Sequence, residues 1–135
     1  MTEKLALPAV LENLEPALDF IEKCAGKAFS DREFLSQIRL VCEEALVNII
    51  SYAYPGASGG MEVQCGPEQG VFRIRILDSG VPFNPFERPD PDVNKPVEER
   101  EIGGLGIFLI KKIMDSWTYR REGDRNIMTL EKKLA

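Results

Sequence analysis

Histidine is absent from this 135-residue sequence, and basic residues are outnumbered by acidic ones. Without histidine the chain cannot carry a His-ligated metal, a Ser-His catalytic pair or a phosphohistidine relay of its own. The 17 Lys and Arg residues against 22 Asp and Glu residues give a formal charge of −5. Nucleic acids and anionic membranes are bound mainly by clustered Lys and Arg. We therefore expect neither as a partner.

Cysteines and long apolar runs are also few. The three cysteines, Cys24, Cys42 and Cys65, lie far apart without CxxC spacing, which is typical of packed free thiols in a reducing cytoplasm. No apolar run is long enough to span a bilayer, and residues 1–5 lack the basic-then-apolar layout of a signal peptide. We expect one cytoplasmic domain over residues 1–135, since this length can bury about two thirds of its unfolded surface.

Hydrophobic periodicity predicts three helices and two β-hairpins. The helices cover residues 13–25, residues from a cap at Ser30-Asp31 to Tyr52, and residues 107–115; the strands cover residues 61–65, 71–77, 117–121 and 126–134. Residues 81–101 hold five of the nine prolines and nine charged residues. A long segment of this composition inside a compact domain is usually a flexible lid or a binding segment.

The second helix carries a polar pair, Glu44 and Asn48, in an otherwise apolar run. A spacing of four residues puts both side chains on one helical face. The amide oxygen of Asn48 suits Mg²⁺, which takes its other ligands from water and phosphate. A partly desolvated Glu44 suits a general base. A buried pair bonded to the backbone is an equally good explanation of these two residues alone.

Two further motifs have both a functional and an ordinary interpretation. Asp78 follows an apolar strand, where its carboxylate could accept a hydrogen bond from the exocyclic amine of adenine and disfavour guanine; Asp78-Ser79-Gly80 is also a common turn sequence. The run Gly103, Gly104, Leu105 and Gly106 at a helix start could bring backbone N–H groups to an anion. A glycine turn with only a packing role would look the same.

The order of these motifs is more informative than any one of them, and it resembles a known family. The sequence resembles the GHKL ATP-binding fold shared by gyrase, histidine kinases and MutL, and within it the bacterial anti-sigma-factor serine kinases. The matching segments are the N-box at residues 44–54, the first glycine box and lid from Asp78 onward, the second glycine box at residues 103–115, and the closing strand at residues 126–130.

This resemblance implies a Bergerat-type α/β (α+β) two-layer sandwich, with a mixed β-sheet covered on one face by three helices. It also implies a catalytic base at Glu44, an Mg²⁺ ligand at Asn48, adenine recognition by Asp78 beside Gly80, and phosphate binding by Gly103, Gly104, Leu105 and Gly106. Thr129 is assigned to the adenine pocket on the same grounds. The chain departs from the family at Tyr52, where many relatives carry histidine. It also departs before the last strand, where the expected glycines are reduced to Gly123, followed by Asp124-Arg125.

The implied activity is Mg-ATP-dependent phosphorylation of a serine or threonine in an anti-sigma-factor antagonist, combined with binding of a sigma factor, by a homodimer. Three alternatives stay open. The chain could be a non-catalytic partner-switching protein that binds ATP, or a detached histidine-kinase catalytic domain acting on another protein's histidine. It could also be a small domain whose polar helix pair and glycine turns are structural.

Overall fold

The computed structural model describes residues 2–87 and 105–134. Eight helices and strands follow one another in this part of the chain, and three short turns of other helix types join them. The elements are β1 Glu3–Pro8, α1 Leu14–Gly26, α2 Arg32–Asn48, β2 Gly60–Glu68, β3 Val71–Asp78, α3 Leu105–Ile113, β4 Ser116–Glu122 and β5 Arg125–Lys133. The predicted helices and hairpins are all present, with ends shifted by at most three residues except at α2, which ends at Asn48 rather than Tyr52 and continues as a π-helical turn to Ala53.

The strands form one antiparallel sheet in the order β1-β2-β3-β5-β4. The prediction of a mixed sheet is therefore wrong for the described strands. Strand β4, which follows α3 in the chain, runs parallel to β3. It is not a neighbour of β3, because it lies two positions away in the sheet. The β4–β5 hairpin then places β5 between them, and every neighbouring pair becomes antiparallel.

The edge strand β1 was not predicted. Its inner positions are only half-buried and its outer positions are exposed, so the apolar alternation in the sequence is weak. The strand gains its order from pairing with β2, from Glu3 opposite Cys65 to Pro8 opposite Gly60. Such a long-range pairing has no local sequence signal.

All three helices lie on one face of the sheet, and the core fills the space between the two layers. Asp31 caps α2 as predicted: its carboxylate accepts hydrogen bonds from the backbone N–H of Glu33 at 3.0 Å and of Phe34 at 3.4 Å. The helix continues past Asn48 into a π-helical turn at Ile49–Ala53. Turns of this type widen a helix locally and are frequent at functional sites.

The outer face of the sheet is largely polar, although the paired Leu77 and Ile127 on it are buried apolar residues. Arg73 on β3 donates to Glu131 on β5 at 2.6 Å, and this bond lowers the pKa of the Glu131 carboxyl. Between the sheet and the helices, all three cysteines are free and buried, and burial raises the pKa of the Cys42 thiol to about 12. None of the described helices combines the length and apolar character needed to cross a membrane.

Candidate functional site

A cavity of about 210 Å³ opens between α2, its π-helical turn and the inner face of the sheet. It is smaller than the roughly 300–1,000 Å³ of typical whole-ligand pockets, so it fits one part of a ligand, such as a base. Three of its apolar residues remain substantially exposed: Tyr52 at 71%, Val81 at 46% and Phe83 at 45%. The lining also includes Ala45, Asn48, Ile49, Ala53, Ile76, Asp78, Pro82, Pro85, Tyr119, Asn126 and Met128.

The π-helical turn and the segment after β3 meet at the rim of the cavity. The backbone N–H of Val81 donates to the carbonyl oxygen of Ala53 at 2.9 Å. Gly80 passes so close that a Cβ atom there would lie 2.3 Å from the same oxygen. The glycine after Asp78 is thus required by the close approach of two backbones, a reason that the sequence motif does not reveal.

Gly80→Ala is accordingly expected to destabilise the domain, because either the rim or the π-helical turn must move. Overpacking of this kind costs about 1–3 kcal/mol. The melting temperatures of the unmodified protein and of Gly80→Ala in thermal unfolding measure this loss of stability. Gly26→Ala is the matched control, since a Cβ atom at Gly26 meets nothing within 4 Å. An unchanged melting temperature for Gly80→Ala would contradict the steric argument.

Asp78 is the last residue of β3 and is 8% exposed. Its Oδ1 atom accepts hydrogen bonds from the backbone N–H of Gly80 at 2.8 Å and from Asn126 Nδ2 at 2.9 Å. Nothing in residues 2–87 or 105–134 donates to its Oδ2 atom. A fixed carboxylate with one oxygen left for a ligand suits recognition of an amine.

Asn126 is the site residue that sequence reasoning missed. It lies directly opposite Asp78 in the β3–β5 register and lines the cavity. The closing strand was predicted, but its register against β3 was not. Two signals were available, the inward position of Asn126 in the alternation with Met128 and Leu130, and its polar side chain at an otherwise apolar set of positions.

Tyr54 fastens the loop that precedes β2 to the end of β3. Its hydroxyl donates to the carbonyl oxygen of Gly60 at 2.5 Å and accepts from the backbone N–H of Ser79 at 2.8 Å. The ring lies against Gly59, where a Cβ atom would come within 2.1 Å of it. Tyr54 therefore helps to hold the Asp78-Ser79-Gly80 turn in place.

The helix pair shares one face of α2, as its spacing predicts, but among the described residues that line the cavity Asn48 is present and Glu44 is not. Asn48 lines the cavity, and Glu44 lies one turn earlier on α2; both are half-buried. The described residues contain no group of three Cys, Asp or Glu side chains that could hold a metal by themselves. Mg²⁺ in phosphoryl-transfer sites uses one or two protein oxygens together with phosphates and water, so the amide of Asn48 fits such an ion.

The second glycine motif falls at the border of the described residues. Gly103 and Gly104 lie outside them, while Leu105 and Gly106 begin α3. Of the predicted lid at residues 81–101, the segment 81–87 is described and contributes to the cavity. The rest of the predicted lid, residues 88–101, lies outside the described residues, so its expected flexibility stays a prediction.

Thr129 does not reach the cavity, and its assignment to the adenine pocket is corrected. Side chains alternate between the two faces of a strand. Met128 and Leu130 face the helices and belong to the core, so Thr129 lies on the outer face, between Arg75 and Thr118 in the neighbouring strands.

Comparisons with known proteins agree with this architecture. A family model described as the histidine kinase-like ATPase domain matches residues 7–132. The serine-protein kinase RsbW of Bacillus mycoides is 32% identical over 99 residues, which make up 67% of this chain and 57% of that protein. The serine/threonine-protein kinase BtrW of Bordetella bronchiseptica is 25% identical over 130 residues, or 96% of this chain and 92% of that protein.

Among solved structures, the blue-light activated histidine kinase of Erythrobacter litoralis EL346 superposes with a TM-score of 0.57 at 17% sequence identity. The match covers 92% of this chain and 40% of the kinase. At this identity the likeness concerns the fold alone. The family model, by contrast, covers nearly the whole chain, including the cavity residues Asn48 and Asp78. The chain belongs to the histidine kinase-like ATPase domain family.

Proposed function

We propose that this protein is an Mg-ATP-dependent serine/threonine protein kinase. One observation carries the proposal: Asp78 from the sheet and Asn48 from α2 line the same cavity. A carboxylate for an amine and an amide oxygen for a metal therefore lie at one site, as binding of a magnesium-bound adenine nucleotide requires. The relatives that are named as serine or serine/threonine kinases support the choice of protein substrate.

The cavity residues would divide the work of binding. The Oδ2 atom of Asp78, to which none of the described residues donates, would accept a hydrogen bond from the exocyclic amine of adenine, whereas the carbonyl of guanine would meet acceptor against acceptor. The apolar walls formed by Ile49, Ile76 and Met128 exclude water from the faces of the base. A cavity of this small volume would hold the base and leave the ribose and phosphates outside it.

Phosphoryl transfer needs mainly positioning and neutralisation of charge. Mg²⁺, when bound at Asn48, would screen the phosphate charge. Backbone N–H groups of Gly103, Gly104, Leu105 and Gly106 would hold phosphate oxygens at the positive end of α3. Glu44 would accept the proton of the attacking serine or threonine hydroxyl.

The family resemblance extends the proposal to partners. The substrate would be an anti-sigma-factor antagonist, and the kinase would also bind a sigma factor. The protein would work as a homodimer in the cytoplasm. A net charge of −5 disfavours nucleic acid as a direct partner.

A transfer assay tests the proposal. The purified protein is incubated with ATP labelled at the γ-phosphate, with Mg²⁺ or with EDTA, and with the antagonist encoded beside it. We expect Mg²⁺-dependent label on a serine or threonine that survives acid. Acid-labile label would indicate a histidine kinase, and ATP binding without transfer would indicate a partner-switching protein. No binding of ATP at millimolar concentration would overturn the proposal and leave the structural alternative.

A further inference from the structure

Polar side chains form a continuous line across the inner face of three strands. Asp78 on β3 pairs with Asn126 on β5, which pairs with Arg121 on β4. The adjacent positions of the same three strands, one pair further in, are Ile76, Met128 and Tyr119. We call Asp78, Asn126 and Arg121 the polar row; it is the boundary between the apolar core and the start of the lid.

The amide of Asn126 uses its full hydrogen-bonding capacity within this row. Its Nδ2 atom donates to Asp78 Oδ1 and to the carbonyl oxygen of Val81, both at 2.9 Å. Its Oδ1 atom accepts from the Tyr119 hydroxyl at 2.5 Å and from Arg121 Nη1 at 3.2 Å. Because an amide has two donor hydrogens and one acceptor oxygen, these four contacts determine which way the side chain is turned.

The same contacts tie two parts of the site together. Asn126 donates to the Oδ1 atom of Asp78 and to the carbonyl oxygen of Val81, the first residue of the lid. Arg121 also donates to the carbonyl oxygen of Gly80 at 2.7 Å. Strands β4 and β5 therefore hold Gly80, the last residue of the turn, and Val81, the residue after it. The Asp78 carboxylate and Val81, where the lid begins, are thus both hydrogen-bonded to the side-chain amide of Asn126.

We infer that Asn126 is a positioning residue that determines nucleotide-base selectivity by fixing the orientation of Asp78 and the start of the lid. The inference rests on the proposed function, in which Asp78 reads adenine. Without Asn126, the Asp78 carboxylate can rotate and take up water. Its contact with the adenine amine then weakens, and so does its rejection of the guanine carbonyl.

Calorimetric titration with Mg-ATP and Mg-GTP tests the inference through the dissociation constant for Mg-GTP divided by that for Mg-ATP. For Asn126→Ala we expect this ratio to fall at least about tenfold, the smaller end of what a hydrogen bond to a charged group contributes. Tyr119→Phe removes only one contact to Asn126 and should shift the ratio about two- to threefold in the same direction. Thr118→Ala, on the exposed outer face of β4, is the control and should leave it unchanged.

The outcomes separate the inference from the proposed function. Failure of the unmodified protein to bind ATP would remove the proposed function itself. Selective ATP binding by the unmodified protein together with an unchanged ratio in folded Asn126→Ala would overturn only the role of Asn126. Thermal unfolding establishes whether each variant is folded. If Asn126→Ala does not fold, Tyr119→Phe decides alone, and an unaltered ratio in that variant overturns the inference.

Discussion

Asp78→Asn is expected to lower ATP affinity by about 10- to 100-fold, the effect of losing a hydrogen bond to a charged acceptor. The substitution preserves shape and leaves one oxygen that can still accept from Gly80 and Asn126. What it removes is the negative charge and the second acceptor oxygen. We therefore expect the fold to persist while binding is lost, as titration calorimetry and thermal unfolding would show together.

The control for this experiment is Asp124→Asn, which makes the same chemical change at the exposed β4–β5 turn. It should bind ATP like the unmodified protein. If Asp78→Asn bound ATP with full affinity, Asp78 would be a structural residue of its turn, as its sequence context also allows. The cavity would then need another explanation.

Glu44→Ala is expected to separate chemistry from binding. A positioned general base contributes about 10²- to 10⁴-fold to a rate, so transfer to the protein substrate should fall within that range. ATP affinity should change little, because Glu44 lies one helical turn from the cavity wall, which Asn48 lines. Single-turnover transfer of labelled phosphate, compared with calorimetric ATP binding, distinguishes the two effects.

Glu43→Ala provides a matched control on the same helix. Glu43 is the adjacent carboxylate, with a similar degree of burial, but its side chain points about 100° away around the helix axis. It should retain near-normal transfer. Equal losses in both variants would attribute the effect to the helix surface rather than to a base, and full activity of Glu44→Ala would remove its assigned role.

Short-range signals in the sequence were sufficient for the helices and the hairpins. The cap at Asp31, the 3.6-residue periodicity of α1 and α2 and the alternation of β3 each depend on neighbours a few residues away. The family was also identifiable from the sequence, because its motifs keep a fixed order. In the structure Asn48 and Asp78 line one cavity; their roles toward a nucleotide stay a prediction.

Strand neighbours and registers were beyond such signals. The all-antiparallel sheet, the edge strand β1 and the outward position of Thr129 depend on pairings between residues far apart in the chain. A shift of one residue in the register of β5 would have exchanged Asn126 and Thr129 between the two faces. The alternation with Met128 and Leu130 indicates that Asn126 faces inward, but only the register of β5 against β3 places it opposite Asp78.

The sequence by itself determined which chemical groups the protein has for a nucleotide: a carboxylate after a strand, an amide on a helix and glycines at a helix start. Only the tertiary structure decided how Asp78 is held. Its orientation depends on Asn126, 48 residues away in the chain, and on a backbone approach between Gly80 and Ala53 that leaves no room for a Cβ atom. Contacts of this kind arise from packing the sheet against α2, and packing is a property of the whole fold.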